Sequence, residues 1–213
     1  MHLVHPVRKV LRSRYTLFFV NGFLLACLLY FYMEDSYEDQ VFKSIAGYIG
    51  DKVKQSKNKE EELLLQSLHL SNYLGNTRSF IFQNKKLNSW EISLIHPVSV
   101  DLMTTDGACG SYAFILSYIL NELKIPNRIA QMKVGNTNGG HILVEAKTSK
   151  GWVILDGSYN LCFRKSDGEL ASFSEVENNW AFYKKQVPAK YNLMYATKVC
   201  GIQTGTKYQL LCR

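Results

Sequence analysis

The segment Tyr15–Met33, "YTLFFVNGFLLACLLYFYM", runs for nineteen residues without a formal charge, and Asn21 is its one strongly polar side chain. A helix of that length rises roughly 28 Å, close to the ~30 Å hydrocarbon core of a bilayer. Arg8, Lys9, Arg12 and Arg14 precede the segment, residues 1–33 contain no acid, and Glu34, Asp35, Glu38 and Asp39 follow it. Cations before an apolar span and acids after it orient the span with its N-terminus in the cytoplasm. Residues 1–14 therefore read as a cytoplasmic basic stub and 15–33 as a transmembrane anchor. The rest is expected outside, on a bacterial membrane. Tyr30 and Tyr32 sit where interfacial aromatics are expected.

A second reading of this terminus stands beside the first. Leu24–Cys27, "LLAC", has the form of the lipobox at which bacterial lipoproteins are cut and acylated, which would make Cys27 a lipid anchor. The apolar run continues through "LLYFYM", which favours an uncleaved span. The net charge of +7 belongs largely to this terminus: of 25 basic residues four lie before the span, leaving 21 against 18 acids, or +3. No basic stripe interleaved with aromatics is present, so nucleic-acid binding is excluded as a reading.

Outside the cytoplasm, disulfides are allowed. Besides Cys27 the chain has Cys109, Cys162, Cys200 and Cys212, and a bridge of Cys200 with Cys212 or with Cys162 is the expectation. No C-x-x-C pair or Cys/His cluster with ligand spacing occurs, so neither structural zinc nor any cofactor is expected.

Residues 34–71 read as a helical region. In "NKEEELLLQSLHLSNYLG", Asn58 is an N-cap, Glu61 stands at the capping-box position and Gly75 reads as the stop. Residues 80–105 are mixed, with "SWEISLIHPVSVDL" extended and interrupted at His96-Pro97. "GSYAFILSYILNELKIPNR" is apolar around most of a helix circumference, describing a central buried helix that ends before Pro126. Cys109, in "DGACGSY", falls at or just before its first turn. There the unpaired backbone N–H groups and the helix dipole lower a thiol's pKa, and small Ala108 and Gly110 let a substrate approach.

Two strands follow, His141–Ala146 and Gly151–Asp156. If Lys147–Lys150 form a four-residue hairpin loop, Glu145 faces Trp152, Leu143 faces Ile154 and His141 faces Asp156. Directly opposed side chains lie ~4.5–5.5 Å apart at Cβ, close enough for imidazole and carboxylate to hydrogen-bond. Singly, each residue has a plainer reading. Cys109 could be a small core hydrophobe, His141 a strand-edge residue, and Asp156-Gly157 a turn dipeptide. Together they are the parts of an activated thiol: Cys109 as nucleophile, His141 as general base and acid, Asp156 as orienter of the imidazole.

"GACGSYAFILSYILNELKIPNRIAQM", then "HILVEA" and "GWVILDGSYN", resembles the transglutaminase-like superfamily of papain-like thiol enzymes over roughly residues 72–163. The resemblance implies an α+β core in which a central helix, carrying the cysteine at its N-terminus, packs on an antiparallel sheet. It also implies acyl transfer from an amide through a thioester, with Cys109, His141 and Asp156 in the catalytic positions. "DGSYN" stands where many relatives have aspartate-proline-threonine. The family's oxyanion donor is expected at the Cys109 N–H, with Trp90 or Gln83 as side-chain candidates.

Residues 164–213 read as a C-terminal extension packing on the core, with a turn at "KSDGE", a surface helix over "FSEVENNWAFYKKQ" and an extended "VPAKYNLMY". Trp180, Phe182, Tyr183 and Tyr191 either line a substrate groove or, at helical spacing, pack in the core. The expected function is hydrolysis or transfer at amide bonds of a peptide or protein, hydrolysis before cross-linking. The rival is a catalytically silent binding or assembly module in an envelope complex.

Overall fold

In the computed structural model, which describes residues 14–81, 98, 102, 109–133, 140–188 and 199–203, the apolar run lies within one unbroken helix, α1 (Arg14–Val53). The chain divides into two compact units, Met1–Val41 and Phe42–Arg213. In the first, the large apolar side chains from Tyr15 to Met33 are exposed, and the helix is long and apolar enough to cross a membrane.

The second unit mixes helices with an antiparallel sheet. Helix α2 (Lys59–Ile81) and helix α3 (Cys109–Glu122) precede strands β1 (Asn127–Lys133), β2 (Gly140–Thr148), β3 (Gly151–Asp156) and β4 (Leu161–Cys162). Short helices α4 (Phe173–Asn178) and α5 (Trp180–Tyr183), a 3-10 turn over Lys184–Gln186 and a final strand β5 (Val199–Gln203) complete the described elements. The strands lie in the order β4-β3-β2-β1-β5, and every described pairing is antiparallel. The mixed helix and antiparallel-sheet class is the one expected from the sequence.

Strand alternation assigns the two faces of the sheet. Val144, Ala146, Val153 and Leu155 point to one side, where they bury Ala113, Leu116 and Leu120 of α3 with Leu64 and Leu68 of α2. Ala130, Leu143 and Ile154 point to the other, against Phe163, Phe173, Val176 and Tyr183. The opposite side of α3, at Ile115 and Ile119, packs on Phe42, Ile49 and Val53. Apolar on all sides, α3 is thus the central helix that its composition predicts.

Several local expectations are overturned. Gly75 does not end α2, which runs six residues further to Ile81. A Cβ there would come within 2.4 Å of the Tyr112 ring, so the glycine serves close packing rather than termination. Val98 and Leu102, read as extended, are helical positions packed on the Ile115–Ile119 side of α3, where burial overrides β-propensity. The hairpin loop is two residues, not four: Thr148 pairs with Gly151, so Glu145 faces Ile154 and Lys147 faces Trp152. The Thr148 hydroxyl donates to the Gly151 carbonyl and accepts from the Lys150 N–H, and Gly151 sits at φ +128, so this turn closes more tightly than a four-residue loop. Cys162, a disulfide candidate, is a free thiol that burial pushes up in pKa.

The end of α3 is explained by its flanking residues. Lys124 takes a left-handed conformation at φ 61, and the Ile125 N–H closes back on the Leu120 carbonyl. Buried Asn127, from "IPNR", accepts from the Ser117 hydroxyl at 2.7 Å and donates to Asn121 at 2.8 Å. The neighbouring Arg128 pairs with buried Glu145 at 2.7 Å and lies 4.4 Å over the Trp152 ring, so it ties β1 to β2 and β3. Trp180 and Tyr183 pack edge-on against Phe163, which puts these aromatics in the core. The expected "FSEVENNWAFYKKQ" helix is two helices broken at Asn179, with a capping box at Ser172 and Glu175.

Candidate active site

Cys109 is the first residue of α3, where sequence places it, and it is partly buried. His141 is the second residue of β2, and Asp156 is the last of β3. Continuing the observed register past Val144↔Leu155 puts Leu143, not His141, across from Asp156. The two-residue error in loop length preserves side-chain parity, so His141 becomes a diagonal neighbour on the same face. A long imidazole and a carboxylate span that diagonal: His141 Nε2 lies 2.6 Å from Asp156 Oδ2.

The carboxylate is fully enclosed, at 0% exposure. Its second oxygen, Oδ1, accepts from the Ser158 N–H at 3.1 Å, the Ser158 hydroxyl at 2.8 Å and the Tyr159 N–H at 3.3 Å. A buried carboxylate without such donors would be costly, and here both oxygens are satisfied. Asp156-Gly157 is thus a turn dipeptide and a histidine partner at once. The sequence offered these as alternatives; the geometry combines them.

With Nε2 committed to Asp156, Nδ1 is the ring nitrogen left for the hydrogen bond shared by His141 and Cys109. Burial alone would push the Cys109 thiol up. The bond to His141, backbone hydrogen bonds at Ile142 and Gly110 and the imidazole's charge together outweigh it, and the thiol falls below its usual range. Burial likewise works against charge on His141, whose side chain is 21% exposed. The hydrogen bonds to Asp156 and Cys109 prevail and push it up to about 9. The two shifts are of opposite sign and share a cause: each side chain favours the charged form of the other.

Tyr159 completes the described rim. Its ring meets His141 edge-on at 5.7 Å and remains 42% exposed. On the far side, α2 supplies Asn72, whose Nδ2 donates to the Gly157 and Ser158 carbonyls. Sequence reasoning missed Asn72, Tyr112, Gly157 and Tyr159. For Gly157 and Tyr159 a signal existed in "DGSYN", which was read for its acid and for the Asp156-Gly157 turn but not for the close packing of Gly157 or the ring of Tyr159. Asn72 and Tyr112 gave none, since nothing local links them to residues 156–158.

The proposed oxyanion side chains Gln83 and Trp90 lie outside the described residues, as do Ala108, Tyr191 and Cys212. The side chain of Cys200 is likewise undescribed. No group of three or more metal-binding side chains occurs among the described residues. Compared with known proteins, the chain finds no matching family model, no matching curated protein and no matching solved structure.

Proposed function

We propose that the protein is a cysteine-dependent enzyme of the transglutaminase-like, papain-like type, anchored in a bacterial membrane with its catalytic unit outside. It acts on amide bonds of a peptide or protein. The observation that carries this reading is the convergence of Cys109, His141 and Asp156, with the thiol lowered and the imidazole raised.

The chemistry follows from those groups. The Cys109 thiolate adds to the amide carbonyl carbon, forming a C–S bond while charge gathers on the oxygen. N–H groups in the first turn of α3 face that developing charge. The C–N bond breaks as the amine leaves with the proton from His141, and a thioester remains on Cys109. His141, now neutral, takes a proton from water, whose oxygen attacks the thioester and releases the acid and the thiol. An amine in place of water gives cross-linking by the same steps. Asp156 holds the Nε2 side of the ring throughout, leaving Nδ1 to exchange the proton.

The test is incubation of the full chain with a peptide library, followed by mass spectrometry for cleaved, deamidated and cross-linked products. Turnover that Cys109→Ala, His141→Ala and Asp156→Ala each abolish or cut by more than about 100-fold supports the assignment. Products that persist unchanged in all three variants sink it. A Cys109 thiol titrating at or above about 8.5 in folded protein would point to a silent binding module instead.

A further inference from the structure

Helix α2 contributes none of the three reactive side chains, yet it touches both elements that carry Cys109 and Asp156. Asn72 Nδ2 donates to the carbonyls of Gly157 at 2.8 Å and Ser158 at 3.1 Å. Its Oδ1 accepts from Asn76 Nδ2 at 3.0 Å, and Asn76 Oδ1 accepts from the Tyr112 hydroxyl at 2.8 Å. Tyr112 lies three residues after Cys109 on α3, and Gly157 directly follows Asp156. Three side chains therefore link the nucleophile's first helical turn to the turn that leaves the acid, by a route outside the sheet.

The packing around this chain of bonds leaves little play. A Cβ at Gly75 would meet the Tyr112 ring at 2.4 Å, and one at Gly157 would meet the Tyr112 carbonyl oxygen at 3.1 Å. Tyr112 is thus held between two glycines, its ring over α2 and its backbone over the acid's turn. Ser158 makes the connection direct. Its carbonyl accepts from Asn72, while its N–H and hydroxyl hold Asp156 Oδ1.

We propose, building on the catalytic reading above, that Asn72 is a positioning residue: with Asn76 and Tyr112 it fixes the Asp156 turn against α3 and so sets the His141–Asp156 geometry. A purely structural staple would use the same hydrogen bonds, and the two roles differ in what they do to His141. Among the described residues, the titratable groups facing its ring are Asp156 from β3, Cys109 from α3 and Tyr159 from the turn, while His69 on α2 meets Asn160 at 3.3 Å.

The deciding measurement is the titration of the His141 imidazole by NMR in the full chain, held in detergent micelles, on a Cys109→Ala background. The His141→Gln variant identifies the signal. Asn72→Leu keeps the side chain's shape without its hydrogen bonds, and Asn72→Ala removes both. Each is expected to lower the His141 midpoint by about one pH unit, the order expected when one hydrogen bond is lost. Asn76→Ala and Tyr112→Phe are expected to lower it by less. A lowered melting temperature with an unmoved midpoint in the Asn72 variants overturns the proposal and leaves a staple. Should both Asn72 variants fail to fold, exposed Asn76→Ala decides, and an unmoved midpoint there overturns it. The readout contains no nucleophile, so an absence of amide turnover in the wild type would overturn the enzymatic reading and leave this result standing.

Discussion

His141 and Asp156 are bonded at 2.6 Å although they are not opposite one another in the β2–β3 ladder. The pair is held by a diagonal reach across the end of the hairpin and by the Ser158–Tyr159 turn behind the carboxylate. The hydrogen bonds to Asp156 and Cys109 outweigh burial and favour charge on His141, and the pH behaviour of the site follows from that balance.

Alkylation of Cys109 by iodoacetamide should reach half its maximal rate below the free-thiol value of about 8.5. His141→Ala should move that midpoint upward, because burial then acts on the thiol without its main opposing partner. A midpoint unaffected by His141→Ala would mean that the two side chains do not share a proton.

Cys162 should behave in the opposite way. Its thiol is free and raised by burial, so it should remain unlabelled in native protein while Cys109 reacts, and label only when denaturant is added. Peptide mapping after brief alkylation checks this, and equal labelling of both would contradict it.

Stability should carry the His141 signature too. A histidine raised from 6.5 to about 9 in the folded chain stabilises it fully below pH ~6.5 and loses that contribution as pH rises through about 9. The stability difference between wild type and His141→Gln, from urea melts between pH 6 and 10, should therefore shrink with rising pH. A difference that grows over this range would reverse the assigned sign.

Gly75→Ala tests the contact with Tyr112 through a change of sign. In the wild-type background the added methyl meets the ring, and overpacking of this kind costs about 1–3 kcal/mol. With Tyr112→Ala the clash disappears, and alanine in place of a helical glycine should stabilise by up to about 1 kcal/mol. Denaturant melts of the four proteins close the cycle, and the same sign in both backgrounds refutes the contact.

Leu116→Ala, fully buried between α3 and the sheet, should cost about 2–5 kcal/mol by chemical denaturation. A loss below 1 kcal/mol would mean that the central helix does not pack as described.

What the sequence made legible was mostly local. The apolar run of α1, the all-round apolarity of α3 and its stop ahead of Pro126 follow from composition and period. The pairing of His141 with Asp156 was reached through a wrong register, and the two still meet because two residues of slippage keep every side chain on its face. A one-residue error would have lost it. Thr148 and Gly151 decide that turn through a hydroxyl bond and a positive φ, neither of which hydrophobic alternation reveals. Gly75 was misread because a glycine late in a helical pattern looks like a stop, and only the approach of Tyr112, far along the chain, gives it another use. Asn72 was invisible for the same reason. Its partners lie 85 and 86 positions away.

Helix α1 has a consequence for where the chain tolerates a cut. Its exposed apolar stretch ends at Met33, whereas Phe42, Ile49 and Val53 further along the same helix are core residues of the second unit. Proteolysis ahead of Phe42 would leave a fragment that keeps Phe42, Ile49 and Val53 and so this part of its hydrophobic interior. A cut after Val53, twelve or more residues later, would remove Phe42, Ile49 and Val53, and the central helix would lose their packing on Ile115 and Ile119.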